Sequence, residues 1–186
     1  MIGYAFTGSF CTISKSISTM EKLVNSGYDV LPIMSERVYG TDTRFGEAHK
    51  IIEKVKAITG KEPIHTIVGA EPIGPNVHLD GLIICPCTGN TIAKLANGIT
   101  DSSVCMAAKA HLRSNKPLLI ALATNDALSA NLKNIGALFS RKNVYFVPMI
   151  QDDPISKPYS LVADFDMVEE CLKLAINGLQ YPKLFK

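Results

Sequence analysis

No apolar run in this 186-residue chain approaches the ~20 residues a helix needs to cross a bilayer, so nothing in it reads as a membrane span. Charge of one sign is scarce as well. The 19 Lys and Arg stand against 17 Asp and Glu, a net +2, and no basic cluster is longer than Arg141-Lys142. That balance excludes the basic stripe of a nucleic-acid binder. The opening residues Met1–Phe6 run straight into apolar sequence without a basic leader, which makes the cytoplasm the expected location. Cysteines are few and odd in number: Cys11, Cys85, Cys87, Cys105 and Cys171. A chain of this length buries enough surface to fold without staples, so buried thiols are expected rather than a disulfide framework. Repeats, low-complexity tracts and linkers are also missing, and residues 1–186 read as one domain.

What is present is an ordinary globular composition, 47% hydrophobic and 19% charged. Short apolar runs alternate with helical periodicities, the pattern of βαβ units around a parallel sheet. Strands are expected at Ile2–Thr7, Val30–Met34, Leu82–Cys85, Leu118–Leu122 and, last, Val144–Val147. Ile17, Met20, Leu23 and Val24 recur at helical spacing before Gly27, as do Ala48, Ile51, Ile52, Val55 and Ile58 before Gly60. Pro63 to His78 reads mostly as loop, with a short helix near Ile64–Ala70. Two further helices are expected near Thr91–Asn97 and Ser102–Arg113. Asp126 is placed to cap a helix carrying Leu128, Leu132, Ile135 and Phe139, and Asp166-x-x-Glu169 reads as a capping box opening the final helix. The fold class is therefore α/β: a Rossmann-like or flavodoxin-like three-layer, doubly wound parallel sheet.

Ligands of such sheets bind beyond the carboxyl ends of the strands, where strand order reverses. Those positions hold Thr7-Gly8-Ser9, Ser35, Pro86 through Thr91, Ala123 through Asp126, and Pro148. Hydroxyls, amides and glycines dominate, and Asp126 is the one charge among them. Such a surface binds phosphate through backbone and hydroxyl donors, with Gly8 allowing close approach and the following helix presenting its positive end. Thr-Gly-Ser alone could be a simple turn; three polar loops on one edge favour a cofactor. No G-x-G-x-x-G follows Gly8, no acid ends the second strand, where Ser35 stands, and no G-x-x-x-x-G-K-[ST] occurs. A mononucleotide such as FMN fits this set better than NAD or ATP.

Thr7-Gly8-Ser9, Ser35 and Pro86-x-Thr88-x-Asn90-Thr91-x-Ala93-Lys94-Leu95-Ala96-x-Gly98-x-x-Asp101 together resemble the flavoprotein family. That family includes FMN-dependent cysteine decarboxylases and prenyl-FMN synthases. Further blocks, Thr43 to Glu47, Thr124 to Leu128 and Gln151 to Pro154, extend the likeness over about residues 2–165. They are similar to one branch of the family, the B subunits of a two-chain synthase that makes the calcium-chelating dicarboxylate of bacterial spores. The resemblance implies FMN as cofactor, with Gly8, Ser9 and Ser35 at its phosphate and ribityl chain. It puts Thr88 and Asn90 near the ring or the substrate and Thr124 and Asn125 in the same pocket, with Thr7 and Gly89 in the loops between. It further implies a homo-oligomer, a trimer or a multiple of one, and a partner A subunit that binds NAD(P). The implied reaction is oxidation of a dihydro precursor to the dicarboxylate, in the mother cell of a sporulating bacterium.

Two other functions stay open: a scaffold subunit that kept the fold and lost the flavin, or an FMN-dependent decarboxylase of a small carboxylate. Against the second, the decarboxylases' catalytic His falls eight residues before Asp80, where this chain has Pro72; His78 lies only two before. Their Pro-Ala-x-Ala-Asn motif is also altered, to Cys87 and Gly89. Arg44, in a loop after the second strand, is the candidate for gripping a dicarboxylate substrate, since a bidentate cation suits it; a solvated loop arginine or an interface ion pair is the plain alternative. Asn90 is the other candidate for contact with substrate or flavin, besides a helix-capping role. A lone Cys85-Pro86-Cys87 and four scattered histidines make no ligand set, and no metal is expected.

Overall fold

In a computed structural model, which describes all of residues 1–186, five parallel strands form the centre of the molecule. They are β1 (Ile2–Phe6), β2 (Val30–Met34), β3 (Gly81–Cys87), β4 (Leu118–Thr124) and β5 (Val144–Phe146). Their order across the sheet is 2-1-3-4-5. This is the flavodoxin-like order, and its reversal falls between β1 and β3. Two short strands, β6 (Met149–Ile150) and β7 (Leu161–Ala163), extend it to seven. β5 pairs with Leu118–Ile120, while β7 runs antiparallel to Ala123 and Thr124, so β4 has different neighbours at its two ends. The sequence makes the Val144 strand the last. Strands of two and three residues are too short for alternation to show, and β6 and β7 escape it for that reason.

The strands are buried on both faces, and alternate residues feed two cores. Leu82, Ile84, Leu118, Ile120 and Leu122 face α4 (Ile67–Ala70), α5 (Gly89–Ala96), α6 (Ser103–Leu112) and α7 (Leu132–Phe139). Tyr4, Phe6, Ile83, Cys85 and Leu119 face α1 (Phe10–Asn25), α2 (Glu36–Gly40), α3 (Ala48–Thr59) and α8 (Val168–Ile176). Between β3 and β4 the register slips: Ile84 lies opposite Ile120 but Cys87 opposite Leu122, three steps against two. The extra residue sends Cys85 and Cys87 into opposite cores, so the C-x-C motif presents no paired thiols. Burial pushes the Cys85 thiol up to about 12 and Cys87 well above its ordinary value.

Gly27 and Gly60 close α1 and α3 at φ of 89° and 69°, as the spacing requires. Two expected caps are corrected. Asp126 does not cap a helix: α7 starts only at Leu132, and residues 126–131 turn back so that the amides of Ser129 and Asn131 donate to the Asp126 carbonyl. Asp166 does not open a capping box either. A 3-10 turn, Phe165–Met167, is capped by Asp164, and Asp166 instead takes Lys22 of α1 at 2.7 Å. For Asp166 a partner from a distant helix prevails over the local one; for Asp126 a tight local turn, closed by Thr124 and Asn131, takes the place of the helix start. No helix is long and apolar enough to cross a membrane.

Candidate functional site

The loops after β1 and β3 are tied together by one buried side chain. The Thr7 hydroxyl donates to the Pro86 carbonyl at 2.7 Å and accepts the Thr88 amide at 2.9 Å. With 1% exposure and both bonds made inside the protein, this hydroxyl is structural, although Thr7 also lines the cleft. The Thr88 hydroxyl accepts the Thr91 amide and caps α5. Ser35 caps α2 through the Val38 amide, at 3.4 Å. The N-terminus of α6 is pinned beside them, because the Ser103 hydroxyl donates to the Met34 carbonyl at 2.6 Å and its amide to Glu36 at 2.9 Å.

That framework leaves a set of donors unused. The amides of Gly8, Phe10 and Cys11 at the start of α1, and of Gly89 and Asn90 at the start of α5, have no acceptor in the protein. The first turn of α1 carries no acidic residue and Ser9 gives it no side-chain cap. Helix starts left open in this way are positive ends, and two of them meet at the switch point.

Two recesses open over these loops and share Gly8, Phe10, Thr88 and Asn90 as a common wall. The first, of 790 Å³, also takes in Thr7, Ser35, Arg37 and Ser102, and only two of its lining residues are hydrophobic. The second, of 660 Å³, adds Ser9, Arg44, Gly89, Thr124, Asn125 and Asp126. Every residue expected from the sequence to meet cofactor or substrate therefore lines one recess or both. Arg44 sits in a turn closed by paired Thr43–Gly46 backbone bonds, its guanidinium 4.8 Å over the Phe45 ring, with no carboxylate partner. Lys157, across the second recess, is held by Asp152 at 3.2 Å. Arg37, two residues past Ser35 at the same strand end, is the cation that reading the sequence missed.

Asp126, the one charge the sequence places among these strand-end loops, lines the second recess. Its Oδ1 accepts the Thr124 hydroxyl at 2.6 Å and the Asn131 amide group at 2.9 Å, while Oδ2 has no donor. Asn131 is in turn fixed by Asn134 at 2.8 Å. The hydrogen bond from Thr124, with help from Asn131, holds the Asp126 carboxyl below the usual range, so it is ionised at neutral pH. Gly89 makes room for this clamp. A Cβ there would stand 2.5 Å from Thr124 Oγ1 and 2.7 Å from both Asn131 Nδ2 and Asp126 Oδ1. His78 lies elsewhere, close to Asp80 at the amino ends of the strands, and lines neither recess.

A parallel 2-1-3-4-5 sheet with open, polar helix starts at its switch point defines a flavodoxin-like α/β protein, and the chain belongs to the flavoprotein family, whose model matches residues 1–171. Within it, the chain is 46% identical over 179 residues to the B subunit of dipicolinate synthase from Bacillus subtilis (strain 168), covering 96% of this chain and 90% of that protein. The crystal structure of the corresponding B subunit from Bacillus halodurans superposes with a TM-score of 0.92 at 44% identity, covering 100% of this chain and 95% of the other. The FMN-dependent cysteine decarboxylase SpaF shares the fold, with a TM-score of 0.67 at 20% identity over 94% of this chain and 95% of that one.

Proposed function

We propose that this chain is the B subunit of a dipicolinate synthase, that it binds FMN, and that with an A subunit it oxidises a dihydro precursor to the dicarboxylate. The observation that carries the cofactor reading is the set of unpartnered amides at Gly8, Phe10, Cys11, Gly89 and Asn90, beside the hydroxyls of Ser9 and Ser35. Those donors suit a phosphate monoester, and the shared wall of Thr88 and Asn90 offers hydrogen bonds to a flat polar ring, so the residues present fit the group. A bound flavin would supply hydride acceptance. Thr124 and Asn125 would line its far side, and Arg44 would take a substrate carboxylate. Likeness to the two dipicolinate synthase B subunits supports a partner A subunit. On this reading NAD(P) is carried by that partner, the chain is a homo-oligomer, and its place is the cytoplasm of the mother cell of a sporulating bacterium.

The test is an absorbance spectrum of the purified chain before and after adding FMN, followed by gel filtration. Flavin bands near ~370 and ~450 nm that stay with the protein are the expected result. Failure to retain flavin at excess FMN would overturn the cofactor reading and leave the chain a scaffold for its partner.

A further inference from the structure

We propose that Asp126, which lines the same recess as Arg44 and Asn90 and leaves its Oδ2 without a hydrogen bond, is the proton acceptor of this oxidation. The inference rests on the function proposed above and assigns a base that nothing in that function supplies.

The carboxylate is held through one oxygen alone, and two usual structural roles are missing. It caps no helix, since α7 begins at Leu132, and it makes no ion pair with any Lys or Arg. Both of its hydrogen bonds converge on Oδ1, from Thr124 and Asn131. Asn131 and Asn134 are themselves 5% and 7% exposed, so the clamp is backed by the core. Its space is kept clear by Gly89, where any Cβ would collide with all three members. A carboxylate fixed at one oxygen keeps its second oxygen in a constant direction, which is what a positioned base requires.

Oxidising a dihydropyridine dicarboxylate to the aromatic ring removes two electrons and two protons. One C–H bond breaks with its electron pair leaving as hydride to an oxidised flavin or nicotinamide. A neighbouring C–H or N–H bond breaks the other way: its electron pair stays in the ring as the new π bond, and its proton forms an O–H bond with Oδ2 of Asp126. The substrate is thereby oxidised by two electrons and the hydride acceptor reduced by two. Being ionised at neutral pH, Asp126 enters the reaction able to take that proton. The other titratable or charged groups facing the recess are Cys11, Arg44, Asp152 and Lys157.

Asp126→Asn tests this, because the amide oxygen can still accept from Thr124 and Asn131 while the basic oxygen is gone. With the A subunit, FMN and the dihydro substrate, kcat should fall about 10²–10⁴-fold, with the Kd values for FMN and for the product dicarboxylate moving by less than about threefold. The acid limb of the wild-type kcat–pH profile should disappear, and added formate should restore part of the rate to Asp126→Ala. Turnover of Asp126→Asn equal to wild type would overturn the proposal. So would loss of FMN or dicarboxylate binding in Asp126→Asn, which would make the residue structural. If the wild-type chain itself binds neither FMN nor the dicarboxylate, the proposed function falls and this inference with it.

Discussion

Gly89 has no side chain and the molecule leaves no space for one, since the clamp of Thr124, Asn131 and Asp126 stands within 2.7 Å of where a Cβ would go. Gly89→Ala should therefore cost about 1–3 kcal/mol, the usual range for overpacking, and should show as a lower urea midpoint. Arg44 is the opposite case. It is exposed, without an ion-pair partner, and leans on the exposed Phe45. Arg44→Ala should leave stability within about 0.5 kcal/mol of wild type. Calorimetric titration with the dicarboxylate should show binding weaker by about 1.5–3 kcal/mol, the worth of a charge-assisted hydrogen bond. Unchanged binding would remove Arg44 from the site. The candidates Gly8, Ser9, Ser35, Thr88 and Asn90 were legible because strand ends and turn residues can be read in order along the chain. Asp126 was legible as a charge at a strand end but not as a clamped one, because its partner Asn131 is selected by the turn of residues 126–131.

At the scale of elements, the site depends on β1 and β3 being held at one spacing past the point where their ladder ends. Thr7 makes that connection with two bonds. Thr7→Val would remove both and leave the Thr88 amide unsatisfied, a loss of about 1–3 kcal/mol. FMN affinity should fall with it, whereas Thr7→Ser should keep both properties near wild type; urea unfolding and flavin titration distinguish the two. Helix α6 carries a second sensitive point. His111 is fully buried, with Nε2 on the Pro117 carbonyl at 2.9 Å and Nδ1 without any partner. Burial lowers its pKa, so folding favours the neutral ring. A depressed folded pKa means this stability is fully present above the unfolded value near ~6.5 and is lost as pH falls through the folded value. The urea midpoint should drop between about pH 7 and 5, and His111→Phe should flatten that decline. The carboxylates with lowered pKa act only at more acid pH.

For the whole molecule, a ligand that binds the folded chain and not the unfolded one raises its stability by mass action. FMN at 100 times its Kd should add about 2.7 kcal/mol. At about 2–4 °C per kcal/mol for a chain of this size, that is a rise in Tm of several degrees, growing with the logarithm of FMN concentration. A Tm indifferent to FMN would contradict the proposed cofactor.

The sequence by itself determined the class of fold, because buried parallel strands must be continuous apolar runs and their covering helices must carry a 3.6-residue stripe. It also determined which loops end the strands, and so where the site lies. Only the tertiary structure decided what is settled by partners distant along the chain. It sent Cys85 and Cys87 to opposite faces through a slip of one residue against β4. It drew Asp166 away from its own helix to Lys22, and it added β6 and β7, whose few residues are strands only because β4 offers its far end as a template. The physical reason is common to all of these: hydrogen bonds and charges are short-ranged, and which groups come within reach is decided only when the layers pack.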